Sequence, residues 1–420
     1  MNEKLAIHGG QPVRTKPNPP MFPGGMAIDE REEAAVLEVL RNRRLFRYYG
    51  PKPAPSKVEE FEKKFAEITG SKYALGVSSG TAALITALVG AGVGPGDEVI
   101  VPAYTFVASA AAVVAVNAIP VIAEVDDTLT LDPASVEQNI TPYTKVLMPV
   151  HMRGIGSQMD EIMGIARRHN LKVIEDAAQA DGGSYKGKML GAIGDAGCFS
   201  LQFHKIITSG EGGVVVTNDD ELILRAKNYH DTGASWRSSG SGYPVLPGVN
   251  YRMNELEGAI ALVQLGKRQM LIDTMRKHKK RIKDVLKGIL GIQLRRVPDE
   301  EGDTGICIMF FLETREKALE IGKALHAEGV PAGTMMSKDI PDWHIYIHWK
   351  HILNKRGNND VGCPFTCPLY KGRVEYSEDM CPKTLDYLTR TVHMDVSPLL
   401  TDEDVNEIIE AILKVTRALL

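Results

Sequence analysis

Lys205 is the residue of this chain best framed for chemistry. From 197 to 213 the sequence reads Gly-Cys-Phe-Ser-Leu-Gln-Phe-His-Lys-Ile-Ile-Thr-Ser-Gly-Glu-Gly-Gly, followed by the apolar run Val214-Val215-Val216. Ser200 places a hydroxyl five residues before the lysine, and the glycine-rich turn after it lets the backbone fold closely before a strand begins. An amine held this way can form a Schiff base with an aldehyde cofactor. A lone loop lysine is ordinarily a solvated charge, so the rest of the chain has to supply the context.

That context is a regular alternation of elements. Strands are expected at Tyr73–Val77, Glu98–Val101, Ile119–Ala123, Val146–Val150 and Leu171–Ile174, and helices at Thr81–Val89, Phe106–Val116 and Met159–His169. Such a pattern specifies a mostly parallel sheet covered by helices on both faces. Ligands of these sheets bind outside the carboxyl ends of the strands, so the residues just after each strand carry the information. After the first come Ser78-Ser79-Gly80-Thr81-Ala82, which suit either a phosphate at a helix start or an ordinary N-cap. After the second come Tyr104-Thr105-Phe106, where an aromatic could stack on a planar ring or fill the core. After Ile174 come Glu175 and Asp176, acidic groups that cost free energy in a buried position unless partnered. A protonated pyridine nitrogen would be such a partner; a helix cap is the other reading. Together with Ser200 and Lys205, these groups stand in the order, and on the side of the sheet, that pyridoxal phosphate requires.

With these residues in place the chain resembles the DegT/DnrJ/EryC1/StrS sugar aminotransferases, which have the fold-type I architecture. The resemblance runs from Leu5-Ala6-Ile7-His8-Gly9-Gly10 to Leu399-Leu400-Thr401-Asp402-Glu403 through Ser79-Gly80-Thr81-Ala82-Ala83-Leu84, Gly96 to Pro102, Pro149-Val150-His151-Met152 and Glu175-Asp176-Ala177-Ala178-Gln179. It implies a large α/β domain with a mostly parallel seven-stranded sheet and a smaller α+β C-terminal domain. It also implies pyridoxal 5'-phosphate as cofactor. Lys205 would carry the cofactor and later move the proton from the donor, Asp176 would hold the pyridine nitrogen protonated, and Gln179 would bond the phenolic oxygen. Phe106, in preference to Tyr104, would stack on the ring. Gly80, Thr81 and Ser200 would bind the phosphate, joined by Asn250 from a partner subunit of a homodimer. Some relatives carry histidine at the lysine position and dehydrate their sugars; here His204 stands beside Lys205, which favours transamination and leaves His204 facing away. A dehydratase or aromatase, and a non-catalytic regulatory protein, are the alternatives.

The implied reaction takes an amino group from L-glutamate or L-glutamine to a keto-sugar or keto-cyclitol. Phe46-Arg47-Tyr48, Val121 to Asp126 and Asp342-Trp343-His344 are similar to stretches of the transaminases that make 8-amino octulosonates. Acceptor selection is expected from Arg47, Tyr48, Arg153, Trp236, Arg237 and His344, because an arginine fork suits a carboxylate or phosphate. His344, His348 and His351 would share one face of a helix, yet no metal is expected. Cys363, Cys367 and Cys381 lack the spacing and fourth ligand of a zinc site.

The 420 residues, 44% apolar and 24% charged with a net charge of −4, are those of a soluble globular protein and argue against nucleic-acid binding. Five scattered cysteines make no disulfide framework. No signal peptide or membrane span is expected, so the cytoplasm is the expected compartment. Three regions are expected: a Gly/Pro-rich N-terminal arm at 1–25 without regular structure, a large cofactor domain at 26–275 and a small domain at 276–420. The small domain should close over the cofactor.

Overall fold

The computed structural model describes residues 4–51, 53–234, 237, 246–336, 341–357 and 361–420. Among the described residues nine strands precede Asn218: β1 (Tyr73–Val77), β2 (Glu98–Pro102), β3 (Ile119–Ala123), β4 (Thr144–Leu147), β5 (Lys172–Asp176), β6 (Ser184–Tyr185), β7 (Lys188–Met189), β8 (Ala196–Ser200) and β9 (Gly213–Thr217). Seven of them form one sheet in the order β1-β9-β8-β5-β4-β2-β3, while β6 and β7 pair as a separate hairpin. Only β9 runs antiparallel in the large sheet. β2, β3, β8 and β9 are buried along their whole length, which is why they read as continuous apolar runs rather than alternating ones.

Helix Gly80–Gly90 enters directly after β1, and the Ser79 hydroxyl accepts from Ala82 N at 3.0 Å. The motif is thus a real N-cap as well as a candidate cradle. Almost every residue of this helix is buried, because it packs between the sheet and the helices Asp220–His230 and Ala108–Ala115. Asp29 and Ser56 cap the helices Glu30–Asn42 and Lys57–Thr69, as their positions before the apolar periodicity predict.

The helix Glu255–Leu286 runs 32 residues without a break, so the expected border at 275/276 falls inside one rigid element. Beyond it β10 (Gln293–Leu294), β11 (Cys307–Phe311), β12 (Ala332–Thr334) and β13 (Thr391–Asp395) form an antiparallel sheet in the order β10-β11-β13-β12. The helices Arg315–Ala327 and Asp402–Leu419 close its core around Phe310, Ile321, Val392, Ile408 and Ile412.

Two stretches depart from the expected division. The arm is not devoid of structure: it holds a 3-10 turn at Ala6–His8 and a short helix at Pro23–Met26. Leu5 joins the small-sheet core, and Arg14 is buried against Asp404 and Glu407. Conversely, Tyr346, Trp349, Ile352 and Cys381 pack into the core of the large sheet. The hydroxyl of Tyr370 donates to Glu98 Oε1 at 2.6 Å, and that of Tyr376 to Pro120 O at 2.6 Å. By packing, that part of the C-terminal sequence therefore belongs with the large sheet. Among the described residues no helix is long and apolar enough to cross a membrane.

Candidate active site

A cavity of about 730 Å³ opens at the carboxyl ends of β1, β5 and β8, walled by the arm and by β13. Lys205 lies in it, on the turn after β8, with its backbone N–H donating to Gln202 O at 2.9 Å. Among the described residues nothing hydrogen-bonds or ion-pairs with its amine. Burial pushes that amine below its ordinary 10.5, with Arg153 pushing the same way; Asp176 and Glu211 pull it back only in part. A neutral amine is the nucleophilic form.

Asp176 ends β5 and is almost fully buried. Ser109 Oγ donates to its Oδ2 at 2.8 Å and Ala178 N to its Oδ1 at 3.1 Å. Burial nevertheless raises its carboxyl above the usual value, against the pull of Ser109, Ala178, Lys205 and His151. No described cation touches it. A carboxylate in this position is stabilised by a cationic ring N–H placed against it.

Gly80 and Ser200 come together from β1 and β8. A Cβ on Gly80 would lie 2.7 Å from Ser200 Cβ and 3.0 Å from its Oγ, so only glycine leaves the helix start open beside that hydroxyl. Thr81 follows on the first turn. N–H groups of a helix start next to two hydroxyls suit a phosphate. Phe106 lines the cavity and is 47% exposed, whereas Tyr104 is wholly buried, so of the two it is Phe106 that can meet a flat ring. Gln179 also lines it, its Oε1 accepting from Arg153 N at 3.1 Å. A phosphate cradle, an aromatic face, a side-chain amide, a buried carboxylate and a low-pKa amine in one cavity fit pyridoxal phosphate.

Of the residues expected to select the acceptor, Arg153 and His344 line the cavity. His344 Nδ1 lies 2.7 Å from Asp342 Oδ1, and its ring centroid is 5.3 Å from that of Phe106. Backbone bonds from Thr105 N to His344 O and from Val107 N to Trp343 O fix this approach. Burial lowers His344 below 6.5 although Asp342 opposes it. Arg47 does not reach the cavity in this chain: it is buried on Glu62 at 2.7 Å, with Tyr48 beside it at 5.0 Å. Arg237 forks onto Asp231 with both bonds at 3.0 Å. Asn250 is exposed, away from the cavity, and accepts from Arg252 N at 3.4 Å. Trp236 lies outside the described residues.

The three histidines do not share a helix, because His348 ends a 3-10 turn and His351 sits in the short helix Lys350–Leu353, with His344 before both. His204, expected to face away, borders the cavity, its ring 4.8 Å from that of Phe22. Phe22, Ser109, Glu211 and Asp395 are neighbours that sequence reading missed. Only Ser109 left a signal, three residues past Phe106 in the first turn of the helix Ala108–Ala115.

The family model of the DegT/DnrJ/EryC1/StrS aminotransferases matches residues 26–348. The chain belongs to that family. It is accordingly an aminotransferase, and its fold is that of fold type I. L-glutamine:2-deoxy-scyllo-inosose aminotransferase from Streptomyces fradiae is 34% identical, over 99% of this chain and 98% of that protein. GDP-perosamine synthase from Caulobacter vibrioides is 48% identical over 214 residues, which span 50% of this chain and 56% of that protein. The crystal structure of 3-amino-5-hydroxybenzoic acid synthase superposes with a TM-score of 0.79 at 28% identity, covering 96% of this chain and all of that one. The family match thus covers the large sheet and the strands β10, β11 and β12 of the small one.

Proposed function

We propose that this aminotransferase uses pyridoxal phosphate to carry an amino group from L-glutamate or L-glutamine to the ketone of a sugar or cyclitol. The observation that carries the reading is Lys205, an amine held towards neutrality in the same cavity as the buried, cation-seeking Asp176. When bound, the cofactor supplies an electron sink for the carbanion character that develops at the donor Cα. Lys205 Nζ would take the proton from that carbon and pass it to the cofactor's aldehyde-derived carbon, and would move a proton the opposite way when the acceptor is aminated. Asp176 keeps the ring nitrogen protonated, Gln179 orients the phenolic edge and Phe106 covers one ring face. Gly80, Thr81 and Ser200 hold the phosphate.

The acceptor class rests on the relatives, whose names concern a perosamine and an inosose. Asn250 supports a homodimer with shared sites: it is exposed and outside the cavity of its own chain, where a phosphate ligand for a partner would stand. Sedimentation of an active monomer would exclude this. The reaction is tested by incubating purified protein with each donor and following conversion of the cofactor to its amine form, then adding keto-sugars and keto-cyclitols. Borohydride treatment followed by intact mass measurement tests the lysine. If Lys205→Ala still retains the cofactor covalently, the assignment fails.

A further inference from the structure

Arg153 sits in a backbone conformation that is uncommon for an arginine. Its φ is 56° and ψ 40°, in the left-handed region where side chains other than glycine, asparagine and aspartate are uncommon. Four bonds hold the backbone there: Arg153 N donates to Gln179 Oε1 at 3.1 Å, Cys307 Sγ to Arg153 O at 3.7 Å, Arg295 Nη2 to Met152 O at 2.8 Å, and Thr304 N to Gly154 O at 3.0 Å. Gly154 has no room for a Cβ, which would lie 2.0 Å from Thr304 Oγ1. The loop after β4 is thus pinned to the segment leading into β11, and this turn brings the Arg153 side chain to the cavity wall.

Once there, the guanidinium hydrogen-bonds to no carboxylate among the described residues. Its nearest carboxylate, Asp395 Oδ1, is 3.8 Å from Nη1, beyond hydrogen-bond range, and lies nearer to His393 Nε2, at 3.0 Å. Asp342, the other acidic group facing it, is engaged by His344 at 2.7 Å. Arg153 Nε and the neighbouring Tyr104 hydroxyl are both buried without a well-aligned partner among the described residues, and the two groups stand close enough for the arginine to act on the phenol through its charge and a weak, poorly aligned contact. The contrast with Arg47 and Arg237 is chemical: Arg47 donates to Glu62 and to Gly76 O, and Arg237 forks onto Asp231. Buried donors left unpaired cost free energy, and a planar fork of charged donors is matched by a carboxylate.

The cofactor phosphate does not answer this demand. Ser200 ends β8 and Arg153 follows β4, two strands further along the sheet, roughly 10 Å at the usual strand spacing. We propose that Arg153 is the carboxylate receptor of the substrate subsite, taking the α-carboxylate of the donor amino acid or the carboxylate of an acidic keto-sugar. This rests on the transamination reading for its substrates, but not for its binding test.

The test uses holoenzyme, wild type against Arg153→Gln and Arg153→Lys, each checked for cofactor content and thermal melting. Glutarate is titrated against the cofactor's absorbance. The expected result is saturable binding in the wild type, weakened at least tenfold in Arg153→Gln and partly restored in Arg153→Lys. Absence of glutarate binding in the wild type, or equal affinity in the glutamine variant, overturns the proposal. KM values then name the source. A tenfold or larger rise for glutamate assigns the carboxylate to the donor; the same rise for an acidic but not a neutral keto-sugar assigns it to the acceptor. No change in either overturns the role. Should Arg153→Gln fail to fold, Arg153→Lys, which keeps the charge and loses the fork, must still weaken glutarate. If wild type converts its cofactor with no donor, the transamination reading falls while the glutarate titration still decides about Arg153.

Discussion

Glu175 and Asp176 are consecutive residues of β5, and their carboxylates meet opposite environments. Glu175 accepts four hydrogen bonds, from His151 Nε2 at 2.8 Å, Gly191 N at 2.9 Å, and the backbone N–H groups of Ile193 and Gly194 at 2.7 Å each. Asp176 accepts two and keeps a demand for positive charge. Alternation along a strand sends the first into the fold's scaffold and the second into the cavity.

Glu175→Gln is therefore a stability variant. An amide offers one acceptor oxygen where three backbone N–H groups converge and turns its own N–H towards the rest. A loss of about 3 kcal/mol is expected, the scale of a disrupted buried charge network. Urea denaturation of the two proteins checks it, and a change under about 1 kcal/mol would contradict the scaffold role.

Asp176→Asn is an activity variant. It leaves the Ser109 contact available and removes a buried charge, so the melting temperature of the apo-protein should hold or rise. Transamination should fall roughly 10²–10⁴-fold, from the about 3–5 kcal/mol that a buried charge loses with its partner. A fall of less than tenfold in kcat would mean that Asp176 does not govern the ring nitrogen.

Gly80→Ala tests the cradle separately from the chemistry. The added methyl meets Ser200 Cβ at 2.7 Å, so the helix start or the hydroxyl must move. The helix itself should tolerate alanine. The Kd for pyridoxal phosphate, measured by fluorescence titration of apo-protein, should rise at least tenfold with little change in thermal stability. An unchanged Kd would place the phosphate elsewhere.

Attachment of the cofactor should report the Lys205 amine directly. Burial holds its folded-state pKa below 10.5, so the reactive neutral form gains population at lower pH than in a free lysine. The rate of covalent capture by apo-protein should rise with pH and level off at a midpoint below 10.5. Asp176 is the largest influence raising that pKa, so Asp176→Asn should move the midpoint lower still. Stopped-flow absorbance across pH measures both, and an upward shift in the variant would contradict the coupling.

The sequence carried the cofactor side of this site further than the substrate side, for a physical reason. Gly80, Asp176, Ser200 and Lys205 each follow a strand closely, and a parallel sheet brings such positions to one edge whatever the loops do. Arg47 and Arg237 sat equally well in loops, but their partners Glu62 and Asp231 are visible only in three dimensions. Trp349 and Cys381 show the same limit at the level of fold. Their residue types gave no hint that a C-terminal stretch would pack on the large sheet, because which core an apolar residue joins is decided by chain path rather than periodicity.

The arm at 1–25 offers the last prediction, since its composition suggested no fixed place. Arg14 is buried, with Nη1 2.5 Å from Asp404 Oδ1 and 2.6 Å from Glu407 Oε2, while its backbone N–H donates to Glu328 O at 3.0 Å. It thereby anchors the segment that carries Phe22 to the cavity. Arg14→Met takes the guanidinium from two carboxylates, leaving Glu407 to Lys16 at 3.5 Å and Asp404 to its Thr401 bonds, and should cost about 3 kcal/mol in urea denaturation at neutral pH. The sign of the pH effect follows from Asp404. Burial raises its pKa, but the Thr401 cap and Arg14 outweigh that and hold it at about 2, below its ordinary 3.8. A depressed carboxylate contributes stability above its unfolded value and loses it as pH falls through the folded one. Wild type should thus lose this stability between about pH 4 and 2. In Arg14→Met the acid slope should be shallower, since the arginine no longer favours the charged form. If the variant instead kept wild-type stability and an unchanged acid slope, the arm would not be anchored through this ion pair, and Phe22 would have to be held at the cavity by the bonds from Ser397 Oγ to Pro20 O at 2.9 Å and from Gly24 N to Lys205 O at 3.3 Å and by its aromatic contacts with Phe203 and His204.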